Sequence, residues 1–97
     1  MITLGMVPVQ VAGVVGKTIQ SNGAGRMESV LVLPATGKIE VINEVGTIIW
    51  SLSDGNHTIH EIAELICGEY AVELPIAEAD VIEFVGLLLN KGIIALK

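Results

Sequence analysis

Few side chains in this sequence could carry chemistry. His57, His60 and Cys67 are its two histidines and its one cysteine. Any metal ligation or nucleophilic step would have to be built from them and the carboxylates nearby. His60, Glu64 and Cys67 stand at spacings of four and seven, so a helix would place them on one face. Cys67, however, falls beside Ile66 and Ala63, on the apolar side of such a helix, where a small thiol serves as core filler. His57 lies in the loop ahead of Thr58, and Glu61, Glu64 and Glu69 read as a solvated face. No glycine-rich phosphate loop follows a strand, and Gly23-Ala24-Gly25 alone is weak evidence for one. The inventory supports no catalytic residue, no metal site and no cofactor, so the chain is read as not an enzyme.

The elements that would position a binding site change period partway along. Up to about Ile42 the order is extended, and from Asn43 onward it is helical. Val14 to Gln20, Met27 to Leu33 and Lys38 to Ile42 are expected as three strands. Ser21-Asn22-Gly23-Ala24-Gly25 separates the first two, and Pro34-Ala35-Thr36-Gly37 is a tight turn that makes a hairpin of the second and third. Asn43 caps a first helix whose Val45, Ile48, Ile49 and Leu52 form one stripe, and Asp54-Gly55 stops it. Thr58 and Glu61 form a capping box for a second helix that turns Ile59, Ile62, Ala63, Ile66 and Tyr70 inward. A third helix is expected to start at Pro75 and to end at Gly92, after Lys91. Its residues Leu87, Phe84, Leu88, Val81, Val85, Leu89 and Ile82 span an apolar arc of roughly 220°, about twice what a helix on one core needs. That surplus is met either by packing on several sides or by a groove for a partner. Ile93 to Leu96 suits a short final strand. Met1 to Gly13, with Gly5, Pro8 and Gly13, is expected as a poorly defined N-terminal extension to one domain spanning residues 1–97.

Bulk properties narrow the partners. Apolar residues make up 52% of the 97 and aromatics only 3%, so an aliphatic core without disulfide or metal is sufficient. The net charge of −6, with Lys17, Arg26, Lys38, Lys91 and Lys97 scattered, counts against nucleic acid. A lone cysteine suits a reducing cytosol. Glu83, Lys91 and Gly92 interrupt the apolar segment Val81 to Leu96 too early for a membrane span, so a cytoplasmic chain without membrane contact is expected.

The run Ile39-Glu40-Val41-Ile42-Asn43-Glu44-Val45-Gly46-Thr47-Ile48-Ile49-Trp50-Ser51-Leu52-Ser53-Asp54-Gly55 resembles the middle of a PqqD-family sequence: a short strand, an Asn-Glu-x-Gly segment, an Ile-Trp pair and an Asp-Gly stop. Thr58-Ile59-His60-Glu61-Ile62-Ala63 resembles that family's next helix start. Glu78-Ala79-Asp80-Val81 and Asn90-Lys91-Gly92-Ile93-Ile94 resemble its third helix and ending. The series covers roughly Glu28 to Leu96 in order. Leu74 departs from it, standing where a polar cap is usual, and Met1 to Gly13 has no counterpart.

The resemblance implies an α+β fold of winged helix-turn-helix type, a three-stranded antiparallel sheet followed by three helices. It implies a recognition element for ribosomally made peptides (a RiPP recognition element), which holds a precursor's leader peptide for a separate tailoring enzyme. That enzyme is a radical S-adenosylmethionine enzyme in pyrroloquinoline quinone biosynthesis, or a leader peptidase or cyclase in lasso peptide biosynthesis. The leader would add as a strand along Lys38, Ile39, Glu40, Val41 and Ile42. Its side chains would enter a groove drawing on Asp80, Val81, Phe84, Val85 and Leu88. A protein–protein adaptor or oligomerisation module would use the same edge, whether the chain is a monomer or a weak homodimer. A DNA-binding winged helix is disfavoured, because Glu78, Asp80 and Glu83 stand on the third helix against Lys91 alone.

Overall fold

At Asn43 the chain passes from sheet to helix. The computed structural model describes residues 1–20, 27–34 and 36–97. Its elements run β1 (Pro8–Gln10), β2 (Val15–Gln20), β3 (Met27–Val32), β4 (Ile39–Ile42), α1 (Glu44–Leu52), α2 (Ile59–Tyr70), α3 (Leu74–Asn90) and β5 (Ile94–Leu96). The turn expected at Ser21 to Gly25 lies outside the described residues, as does Ala35. The fold is α+β, with a three-stranded antiparallel sheet ordered β2-β3-β4 and then three helices.

Local chemistry accounts for the boundaries. Gly37 takes a φ of 69° between β3 and β4, a left-handed angle that glycine adopts without strain. Asn43 Oδ1 accepts a hydrogen bond from Gly46 N at 2.8 Å and starts α1. Both arms of the capping box are present at α2: Thr58 Oγ1 accepts from Glu61 N at 3.1 Å, and Glu61 Oε1 from Thr58 N at 2.8 Å. Helix α3 begins one residue earlier than Pro75, at Leu74. Among the described residues Glu73 makes no side-chain capping bond, so the proline in the first turn carries the start.

Antiparallel pairing gives each face of the sheet one set of residues. Leu31 and Ile42 point inward and meet Ile49 of α1, Ile59, Ile62, Ala63 and Ile66 of α2, and Ala77, Val81, Val85 and Leu88 of α3 in one buried core. A hydroxyl chain ties sheet to helix inside that core. Ser29 and Thr47 lie 2.8 Å apart, and Thr47 Oγ1 donates onward to Asn43 O at 2.9 Å. The other face of the sheet is apolar and open. Val15, Val32 and Ile39 share one cross-strand row, Val41 lies opposite Val30, and Ile39 and Val41 are about three-fifths exposed, at 62% and 60%.

Residues 1–13 have a defined place, unlike the loose extension that the sequence suggests. Strand β1 pairs antiparallel with β5, as a second, two-stranded sheet. Upstream of it, Met6 O and Leu4 O accept from Ile59 N and His60 N, each at 3.0 Å. These are first-turn amides of α2, which have no partner within their own helix. The segment therefore completes a helix start more than fifty residues away, a relation no local pattern shows. Among the described residues, no helix is long and apolar enough to cross a membrane.

Candidate functional site

Among the described residues, strand β4 is paired by β3 on one side only. Leu33 N donates to Lys38 O at 2.9 Å. Alternation along an antiparallel ladder then turns the backbone groups of Lys38, Glu40 and Ile42 toward β3. The amides and carbonyls of Ile39 and Val41 point the other way, along an open edge. An open edge offers hydrogen bonds that an extended peptide can accept in any sequence.

Beside that edge runs α3, antiparallel to β4. Its far end reaches β4 where Lys91 Nζ meets Glu40 Oε1 at 2.7 Å. Near the start of α1, the gap between α1 and α3 opens into a cavity of about 300 Å³. Val45, Ile49, Phe84 and Leu87 form its apolar walls, and Asn43, Asp80 and Glu83 its polar rim. That volume is at the small end of ligand sites, roughly 300–1,000 Å³, and suits a peptide side chain rather than a whole ligand. A second hollow of about 300 Å³ lies at the other end of β4, between Leu33, Thr36, Lys38 and Glu40 on one side and Asn90 and Lys91 on the other.

Phe84 is held there by the absence of a side chain. Its ring lies over Gly46 so closely that a Cβ at position 46 would stand 2.7 Å from Cε2. Glycine in α1 thus lets the ring lean across and wall the cavity, at a helix-propensity cost of about 1 kcal/mol.

Of the site residues expected from the sequence, the structure brings Asp80 and Phe84 to the cavity; Ile39, Glu40, Val41 and Ile42 form the adjacent strand, and Lys38, expected as its first residue, lies just ahead of it. Val81, Val85 and Leu88 are elsewhere: they are buried in the core, at 0%, 0% and 3% exposure, and no peptide could touch them there. Both explanations of the wide arc on α3 hold in part: its middle packs into the core against α2, and its flank meets the cleft. Glu83 and Leu87, one turn along that flank, and Asn43, Val45 and Ile49 from α1 complete the lining. Sequence reasoning missed the α1 residues because their stripe was fully accounted for as core.

The histidines are bound up in ion pairs away from the cleft. His60 Nδ1 lies 2.7 Å from Glu78 Oε2 and its Nε2 lies 3.3 Å from Glu64 Oε1, so the ring joins α2 to α3. The hydrogen bond to Glu78 is the main cause that raises its pKa above the usual 6.5. His57 is raised likewise, mainly by its bond to Asp54 at 3.0 Å. Asp54 is lowered below its usual 3.8, chiefly by the Asn56 amide and then by His57. A raised histidine contributes stability that is complete below pH 6.5 and is lost as pH climbs through the folded-state value. A lowered aspartate contributes above 3.8 and loses its share as pH falls through the folded-state value. The urea midpoint is therefore expected to be highest between about pH 5 and 6 and to decline on both sides, and His60→Gln should flatten the alkaline decline.

The fold has counterparts among solved structures. "TbiB1 in Complex with the TbiA(beta) Leader Peptide" matches with a TM-score of 0.76 and 32% identity, over 89% of this chain and 93% of that one. "Lasso peptide synthetase B1 complexed with the leader peptide" matches at 0.72 and 21%, over 92% and 98%, and shares the fold. So does the PqqD truncation of Methylobacterium extorquens PqqCD, a stand-alone recognition element solved by NMR, at 0.76 and 21%, over 98% and 95%. None of the curated proteins matches the sequence. The family model for coenzyme PQQ synthesis protein D (PqqD) matches residues 28–94, from β3 through the start of β5. Those residues contain the open edge, the helix that faces it and the glycine that admits Phe84, and the chain belongs to the PqqD family.

Proposed function

We propose that this chain binds the leader region of a ribosomally made precursor peptide and presents it to a separate modifying enzyme, without catalysing a reaction itself. The peptide adds as a strand to the open edge of β4, bonding the backbone of Ile39 and Val41, and one large side chain enters the cavity against Phe84. The observation that carries this reading is the juxtaposition of a strand edge left open among the described residues with a cavity of about 300 Å³ walled by Val45, Ile49, Phe84 and Leu87. The leader peptides bound by TbiB1 and by lasso peptide synthetase B1 support it by likeness. The modifying enzyme is a radical S-adenosylmethionine enzyme or a leader peptidase or cyclase, both of which fit a carrier that supplies no chemistry.

Micromolar affinity needs about 8 kcal/mol. Backbone pairing and a few buried side chains at about 1.5–3 kcal/mol each reach that after ordering costs are met. The test is calorimetric titration of a synthetic leader from a precursor encoded beside this gene, into the wild type and into Phe84→Ala. Low-micromolar binding weakened about tenfold or more by the substitution is expected, with slowed hydrogen exchange at Ile39 and Val41. Absence of binding to every neighbouring precursor would favour a protein–protein adaptor that uses the same edge.

A further inference from the structure

The two ends of the cleft carry opposite charge. Asp80 and Glu83 stand one turn apart on α3 at the rim of the cavity, and among the described residues neither is in an ion pair. At the other end Lys38 and Lys91 line the second hollow with Glu40. Formal charge is thus −2 at the first end, from two carboxylates, and +1 at the second, from two cations less one carboxylate. Asp80 and Lys91 are eleven residues apart, so the ends are separated by about 16 Å of helix. An extended peptide of about five residues spans that distance. It is also about twice the screening length of roughly 8 Å at physiological salt, so each end acts on its own part of the peptide.

Resting on the peptide-binding reading above, we infer that the cleft selects the direction and register of its peptide by charge. It takes a strand with a lysine or arginine at one end and an aspartate or glutamate three to five residues away. Strand β4 leads from Lys38 toward Asn43, and antiparallel addition continues the pattern of the sheet. The peptide's N-terminal end then lies beside Asp80 and Glu83, and its C-terminal end beside Lys38. The cation therefore precedes the carboxylate. The long stem of a lysine or arginine packs along Phe84 and Leu87 while its head stays at the wet rim with the carboxylates. A peptide of reversed polarity would set like charges together at both ends.

The test is selection from an mRNA-displayed library of random ten-residue peptides, on the wild type, on Asp80→Lys/Glu83→Lys and on Phe84→Ala. Both charge reversals are at exposed positions, and thermal unfolding checks that the variant folds. Peptides enriched on the wild type but not on Phe84→Ala are expected to carry Lys or Arg ahead of Asp or Glu by three to five residues. The charge-reversed variant should prefer an acidic residue at the leading position, and moving either charge in a winning peptide should weaken it by about fivefold. That loss should shrink in high salt. Winners that need Phe84 but show no order of charge, or that ignore the reversal, would overturn the polarity while leaving peptide recognition standing. Winners that bind Phe84→Ala equally well, or no winners at all, would overturn both.

Discussion

Gly46→Ala is expected to weaken binding of a leader peptide by about tenfold or more, the loss of one side-chain subsite worth roughly 1.5–3 kcal/mol. The new methyl group would overlap the Phe84 ring. Phe84 already lines the cavity between α1 and α3, so a ring displaced into it would occupy the space proposed for the peptide side chain. Overlap in a packed interior otherwise costs about 1–3 kcal/mol, and escape into the cavity spares most of that. Thermal unfolding should thus move little while calorimetric affinity collapses. Combining the change with Phe84→Ala tests the cause. With the ring removed, alanine at 46 should be neutral or stabilise by up to about 1 kcal/mol through helix propensity. A double variant as unstable as the sum of the singles would show that Gly46 is needed for some other contact.

Ile49→Ala is expected to lower the unfolding free energy by about 2–5 kcal/mol, a large share of the roughly 5–15 kcal/mol that holds a small domain folded. Ile49 is fully buried, yet it also forms part of the cavity wall. Ile62 is equally buried on α2 and reaches neither cavity nor edge. Chemical denaturation should therefore show similar losses for Ile49→Ala and Ile62→Ala. Peptide titration below the unfolding transition should separate them: only the change at 49 enlarges the cavity and shifts preference toward a bulkier peptide side chain. Equal affinities for the two variants would mean that the peptide does not reach the bottom of the cavity.

Much of this architecture is legible in the residues because its signals are local. The alternation before Ile42, the Asn43 cap, the Thr58–Glu61 box and Pro75 each act over three or four residues, and each element begins where they indicate, within one residue. The place of the first thirteen residues is not legible, because their partners are β5 and the first turn of α2, far along the chain. The cleft is intermediate. Phe84 and Asp80 can be picked out from the wide apolar arc and its charged margin. The arc alone does not say which of its residues meet α2 and which meet α1, so Val81, Val85 and Leu88 look the same as Leu87 in sequence. The contact that divides them is Gly46 against Phe84, thirty-eight positions apart, and it follows from the crossing of two helices rather than from either one.

The pairing of β1 with β5 also bears on how such a fold is joined to other proteins. Val7 N donates to Lys97 O at 3.3 Å and Lys97 N to Val7 O at 2.8 Å, so the first and last strands lie side by side. The cleft is formed by other elements, β4, α1 and α3. A fold whose first and last strands pair with each other, apart from the three-stranded sheet, can carry a linker beyond Lys97 without stretching the sheet that receives the peptide. The same geometry makes it portable: grafted onto an enzyme, it would bring along a docking strand whose integrity does not depend on the graft.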